Sequence, residues 1–162
     1  MPQKSFVVLG VSHRVQGDKD VFDAFHDSGY AAVVKEIISN DHIDFVGEEW
    51  SDSTSIAETV TQSVLGAGRY LNVSPSIKDI ERYGLGEKCH GSSLGVPLVM
   101  YWDISDNEKL EQIWVDQLTE RTAARGLLIC GVFHTFSVSA KMLNRGFEIE
   151  ARTYMPWDKL AQ

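Results

Sequence analysis

Two cysteines, Cys89 and Cys130, are all the thiol chemistry the chain holds, too few for the stapled framework of a small secreted domain. Cys130 lies inside an apolar run and reads as a small core residue, whereas Cys89 lies in a polar stretch, so no disulfide between them is expected. Long apolar runs are also missing: nothing approaches the roughly 20 residues of a membrane helix. Met1-Pro2-Gln3-Lys4 does not lead into the apolar core of a signal peptide. The expectation is a cytoplasmic protein with no membrane partner. Basic residues are scarce, with 15 Lys and Arg against 23 Asp and Glu and a formal net charge of −8. Nucleic-acid binding needs a positive footprint, so no nucleic-acid partner is expected. The acidic balance favours solubility and identifies no partner by itself.

What is present is hydrophobic patterning of two periods. Residues 6–12 form a short, valine-rich apolar run, the mark of a strand buried on both faces. Tyr30, Val33, Val34, Ile37 and Ile38 then fall at i, i+3, i+4, i+7 and i+8, the stripe of an amphipathic helix. Ile43–Val46 reads as a second strand. Ser55 and Glu58 have capping-box spacing at the head of a helix through Ile56, Val60, Val64 and Ala67, stopped by Gly66 and Gly68. Tyr70–Val73 is a third strand, followed by a short helix through Ile77, Ile80 and Tyr83. Residues 84–97 hold four glycines and read as a loop or lid, and residues 19–26 as a short helix or lid.

Leu110, Ile113, Trp114 and Leu118 mark the longest helix, and Leu127–Val132 the fourth strand. Phe136, Ala140 and Leu143 set the apolar stripe of the next helix, stopped by Gly146, with Thr135 or Ser137 as its N-cap. Phe147, Ile149 and Ala151 alternate with charged residues, as on a half-exposed edge strand. Strands alternating with helices predict a three-layer α/β fold: a mostly parallel β-sheet with helices on both faces and an edge strand at the C-terminus. No linker divides the chain, so residues 1–162 read as a single α/β domain.

Two strands end in the same signature, Gly-x-x-His: Gly10-Val11-Ser12-His13 and Gly131-Val132-Phe133-His134. In an open parallel sheet, ligands bind beyond the carboxyl ends of the strands, so two distant segments would deliver two imidazoles to one crevice. Glu48 and Glu49 follow the second strand and emerge at the same edge. Arg82, after the third strand, is within reach of it. The candidate catalytic set is therefore His13, Glu48, Glu49, Arg82 and His134. Histidine or glutamate can act as general base on water, and arginine can clamp an anion or stabilise an oxyanion. His13, Glu48 and His134 could instead hold a divalent metal (Mn, Zn or Fe) that activates water. The two motif glycines, lacking Cβ, would allow a side chain or ligand to approach the backbone closely. Cys89-His90 has no second ligand pair at metal-site spacing, and no Gly-x-Ser-x-Gly elbow or phosphate loop is present.

On these residues the chain resembles the erythromycin-esterase/ChaN-like superfamily, which includes the TraB and TIKI proteins. Its two Gly-x-x-His motifs match Gly10–His13 and Gly131–His134, its acidic position matches Glu48 or Glu49, and its arginine is best matched by Arg82. The run Leu128-Ile129-Cys130-Gly131 to His134, then Phe136, Leu143 and Arg145-Gly146, looks like the closing segment of small bacterial and phage relatives. The resemblance implies an α/β fold and a site whose chemistry ranges from ester hydrolysis by His-activated water to metal-dependent peptidase activity and haem binding. This chain departs from it in being short and in lacking an arginine near Asp106-Asn107-Glu108. The expectation is a hydrolase-like protein acting on a small-molecule or peptide substrate. In it Glu48 or His13 activates water, and Arg82 and His134 stabilise charge. The rival is a non-catalytic metal-, haem- or small-ligand-binding protein, or an interaction module with a decayed site.

Overall fold

The computed structural model describes residues 3–17, 29–50, 54–85, 89–91, 99–101 and 106–155. The short helix or lid expected over 19–26 and most of the loop or lid expected over 84–97 lie outside them. Five strands form one sheet: β1 (Ser5–Val11), β2 (Phe45–Glu48), β3 (Tyr70–Asn72), β6 (Arg125–Gly131) and β7 (Glu148–Tyr154). Their order is β3-β2-β6-β1-β7 and every pairing is parallel. Two further short strands, β4 (Cys89–Gly91) and β5 (Val99–Tyr101), pair antiparallel in a separate ribbon. The predicted loop hid β4, because three residues without a period of 2 leave no strand signal.

Each face of the sheet is covered by its own helices. Val7, Leu9 and Val11 of β1 point to one side. There they meet Tyr30, Val34, Ile37 and Ile38 of α1 (Tyr30–Asn40) and Ala57 of α2 (Ile56–Leu65). Phe6 and Val8 point to the other side. That face is filled by Leu110, Trp114 and Leu118 of α4 (Asn107–Arg121), and by Val138 and Met142 of α5 (Thr135–Asn144). Alternation in β1 therefore feeds two cores, which is why the run reads as continuously apolar. The helices divide by direction of travel. α1 and α2 carry the chain from β1 outward to β3, and α4 and α5 carry it back through β6 to β7. Right-handed crossovers put the two journeys on opposite faces.

Local signals account for the helix ends. Ser55 caps α2 by accepting from the Glu58 N–H, 2.9 Å. A complete capping box opens α3 (Ile77–Tyr83), where Ser76 and Asp79 bond each other's backbone amide. Strand β7 is one edge of the sheet and mostly exposed, but the predicted alternation holds only at Ile149: Ala151 is exposed, and the buried residue of the strand is Tyr154.

The phase of α5 corrects the sequence reading. Its buried residues are Thr135, Val138, Ser139 and Met142, whereas Phe136 is 86% and Leu143 55% exposed. Of the predicted Phe136–Ala140–Leu143 stripe, Phe136 and Leu143 face outward and Ala140 is part-buried. Neither Thr135 nor Ser137 caps the helix. His134 occupies the N-cap position with no side-chain cap bond, and Ser137 turns instead to Glu111 and to the His134 carbonyl.

Candidate active site

The carboxyl ends of β2, β6 and β1 lie side by side in that order, and each continues into a residue expected at the site. Strand β1 runs through Ser12 into a 3₁₀ turn, His13–Val15, and β6 into another, Val132–His134. Glu48 ends β2, and Glu49 keeps to the sheet by donating its N–H to the Ile129 carbonyl, 2.8 Å. The chain leaves β6 toward the α5 face, while its neighbours β1 and β2 leave toward the face of α1 and α2. That divergence opens the crevice of a doubly wound sheet.

Glu49 stands at its centre. Its Oε2 accepts from the Gly131 backbone N–H, 2.9 Å, and lies 3.7 Å from His13 Nε2. A Cβ on Gly131 would come within 2.9 Å of His13 Nε2 and 3.5 Å of Glu49 Oε2. The glycine of the second motif therefore makes room for the histidine of the first. Gly10 serves packing in the same way, since a Cβ there would fall 2.0 Å from Thr135 Oγ1. The His13 side chain is 53% exposed and so open to solvent at the crevice.

His134 is held from the opposite face. Its Nδ1 lies 2.9 Å from Glu111 Oε1 on α4, and the Trp114 ring packs edge-on to the imidazole, centroids 5.0 Å apart. Glu111 is almost fully buried, takes the Ser137 hydroxyl on the same oxygen, and has Lys141 Nζ 3.5 Å from the other. Burial alone would push the His134 pKa down. The hydrogen bond to Glu111 and the charges of Glu49 and Glu111 outweigh it, so the imidazole is raised above its ordinary value. Burial likewise works against the Glu111 carboxylate, but His134, Ser137 and Lys141 hold its pKa down.

Glu48 points the other way, inward, and is 0% exposed. Its Oε1 accepts from Gln16 Nε2 at 2.9 Å, and its Oε2 from the hydroxyls of Tyr70, 2.7 Å, and Ser55. Burial raises the Glu48 pKa, a shift that the donors from Ser55, Tyr70 and Gln16 moderate. Burial and the Glu48 charge in turn raise the phenols of Tyr30 and Tyr70. Gln16, itself buried, connects this cluster to the crevice, its Oε1 lying 2.6 Å from His13 Nδ1.

The geometry thus gathers His13, Glu49 and His134 at one edge, with Glu48 behind His13 rather than beside it. Arg82 stays apart: exposed on α3, its guanidinium lies 5.4 Å from the Tyr83 ring centroid. Among the described residues no hydrogen bond or ion pair joins it to the other four. Nor do His13, Glu48 and His134 fit a metal. Glu48 spends both oxygens on protein donors, and among the described residues no group of three or more His, Cys, Asp or Glu side chains is placed to hold an ion. Sequence reasoning missed Glu111 and Gln16. Gln16 carries no motif and only burial distinguishes it, whereas Glu111 is a charged residue in register with Trp114, Val115 and Leu118 on the apolar face of α4, a signal that could have marked it. No helix among the described residues is long and apolar enough to cross a membrane. Compared with protein-family models and with curated proteins, the chain matches none of them.

Proposed function

We propose that the crevice at the carboxyl edge is a hydrolytic site for a small-molecule or peptide ester or amide. His13 is the general base and His134 stabilises the charge that develops on the substrate. What supports this reading is that the adjacent ends of β2, β6 and β1 carry Glu49, His134 and His13, with Glu49 3.7 Å from His13 Nε2 and its charge among those that raise the His134 pKa. His13 Nε2 takes a proton from water as that water attacks the acyl carbon, and the imidazolium returns the proton to the alcohol or amine that leaves as the tetrahedral intermediate collapses and its bond to the acyl carbon breaks. Glu49, fixed by the Gly131 amide, favours the imidazolium that results. His134, its Nδ1 toward Glu111, keeps Nε2 for the oxyanion and donates to it when protonated. The raised His134 pKa enlarges the protonated fraction near neutrality. Glu48 supports His13 from behind and, being buried, does not itself meet water. Arg82 is left outside this scheme.

The test is hydrolysis of ester and peptide panels by wild type, His13→Ala and His134→Ala, with circular dichroism of each. Loss of turnover by about 100- to 10,000-fold in both variants, with the folded spectrum retained, is expected. Wild-type rates in either folded variant would contradict the assignment.

A further inference from the structure

We infer that Gln16 is a positioning residue whose side-chain amide ties the buried Glu48 carboxylate to His13 and holds that imidazole in its Nδ1–H form, leaving Nε2 as the basic nitrogen. As a role in catalysis this rests on the hydrolytic reading of the same site. As a statement about the ring it stands alone.

The orientation of the amide follows from its neighbours. One end of Gln16 lies 2.9 Å from Glu48 Oε1 and 3.1 Å from the Glu49 carbonyl oxygen. A backbone carbonyl only accepts and never titrates, so that end is the NH₂ group whatever the protonation of Glu48. The other end is then the carbonyl, 2.6 Å from His13 Nδ1. A carbonyl oxygen cannot donate, so Nδ1 carries the proton.

The backbone that carries the amide is held as well. The Gln16 backbone carbonyl accepts from the Ile56 N–H, 2.9 Å, its own N–H donates to the His13 carbonyl, 3.3 Å, and Gly17 bridges to Ser55. Glu48 is anchored in turn by Ser55 and Tyr70. The relay thus runs from an anchored carboxyl group through the amide to the half-exposed ring. It serves the purpose of the carboxylate that orients a catalytic histidine, with one amide inserted between them.

Two-bond ¹H–¹⁵N correlation of the His13 ring tests this at about pH 9, above the ordinary imidazole pKa. The signal is assigned by its loss in His13→Ala. A pyrrole-type shift at Nδ1 and a pyridine-type shift at Nε2 are expected in wild type. Gln16→Leu, which keeps the bulk and removes the carbonyl, should raise the population protonated at Nε2. Predominantly Nε2-protonated His13 in wild type overturns the proposal, whether or not Gln16→Leu folds. No substrate enters this measurement, so an inactive protein with the expected tautomer removes the hydrolytic reading and keeps the relay. In an active one, Gln16→Leu should lower kcat by about tenfold or more with little change in KM. An unchanged kcat in folded Gln16→Leu would overturn the positioning role.

Discussion

Alternation along the end of β2 sends two neighbouring carboxylates in opposite directions, Glu48 inward to Gln16, Ser55 and Tyr70, Glu49 outward onto the Gly131 amide beside His13. A sequence shows the pair of glutamates but not which one is dry. Glu111 is different: it precedes Trp114, Val115 and Leu118 by three, four and seven residues, so the helical period already places it on the buried face of Asn107–Arg121, and what the sequence hides is that His134, Ser137 and Lys141 close over it. That contact is legible as pH dependence. The folded His134 pKa lies above its ordinary 6.5, so its stabilisation is complete below that pH and is lost as pH rises through the folded value. The Glu111 pKa is depressed from 4.5, so its stabilisation is present above 4.5 and is lost as pH falls through the folded value. The pair therefore contributes most between those two ordinary values. Chemical denaturation should find Glu111→Gln less stable than wild type at about pH 5.5, with a smaller gap at about pH 8.5. A gap of constant size would refute the pairing.

At the scale of elements, most of the sheet was readable because parallel strands buried on both faces are short apolar runs, and β1 and β6 are such runs. The helix over Tyr30–Asn40 was equally plain. The failures have physical causes. Helix α5 exposes Phe136 and Leu143 while burying Thr135 and Ser139, so its hydrophobicity misstates its phase. The buried face is chosen by the approach of Thr135 to Gly10 and of Val138 and Met142 to the core. The two motif glycines separate packing from function. Gly10→Ala forces a methyl into Thr135 and should cost about 1–3 kcal/mol. Gly131→Ala meets only the tip of the His13 ring and the Glu49 carboxylate, which can swing aside. It should change stability by less than about 1 kcal/mol and still reduce hydrolysis. Thermal denaturation and ester turnover of the two variants decide this. Equal stability losses would remove the distinction.

For the whole molecule, the doubly wound order β3-β2-β6-β1-β7 sets the ends of three strands together although their residues are far apart in the chain. The paired Gly-x-x-His signatures made that convergence legible, since each histidine follows a central strand. Arg82 had no such marker. It follows β3 at the sheet's edge, and the capped helix α3 holds it in solvent beside Tyr83. The same topology explains why the second carboxylate–histidine pair was invisible. Glu111 comes from α4, on the far face, and meets His134 only because β6 turns toward that face on leaving the sheet.

The account depends on His13 and His134 sharing Glu49, and titration of the His134 ring by NMR in Glu49→Gln tests this most directly. Glutamine can still accept the Gly131 N–H, so the backbone contact survives while the charge is lost. The His134 pKa should fall relative to wild type, with Glu111→Gln, which removes its direct partner, lowering it as well. A His134 titration that moves in Glu111→Gln but stays at the wild-type value in Glu49→Gln would mean that Glu49 does not serve both imidazoles, and the proposed centre would be contradicted.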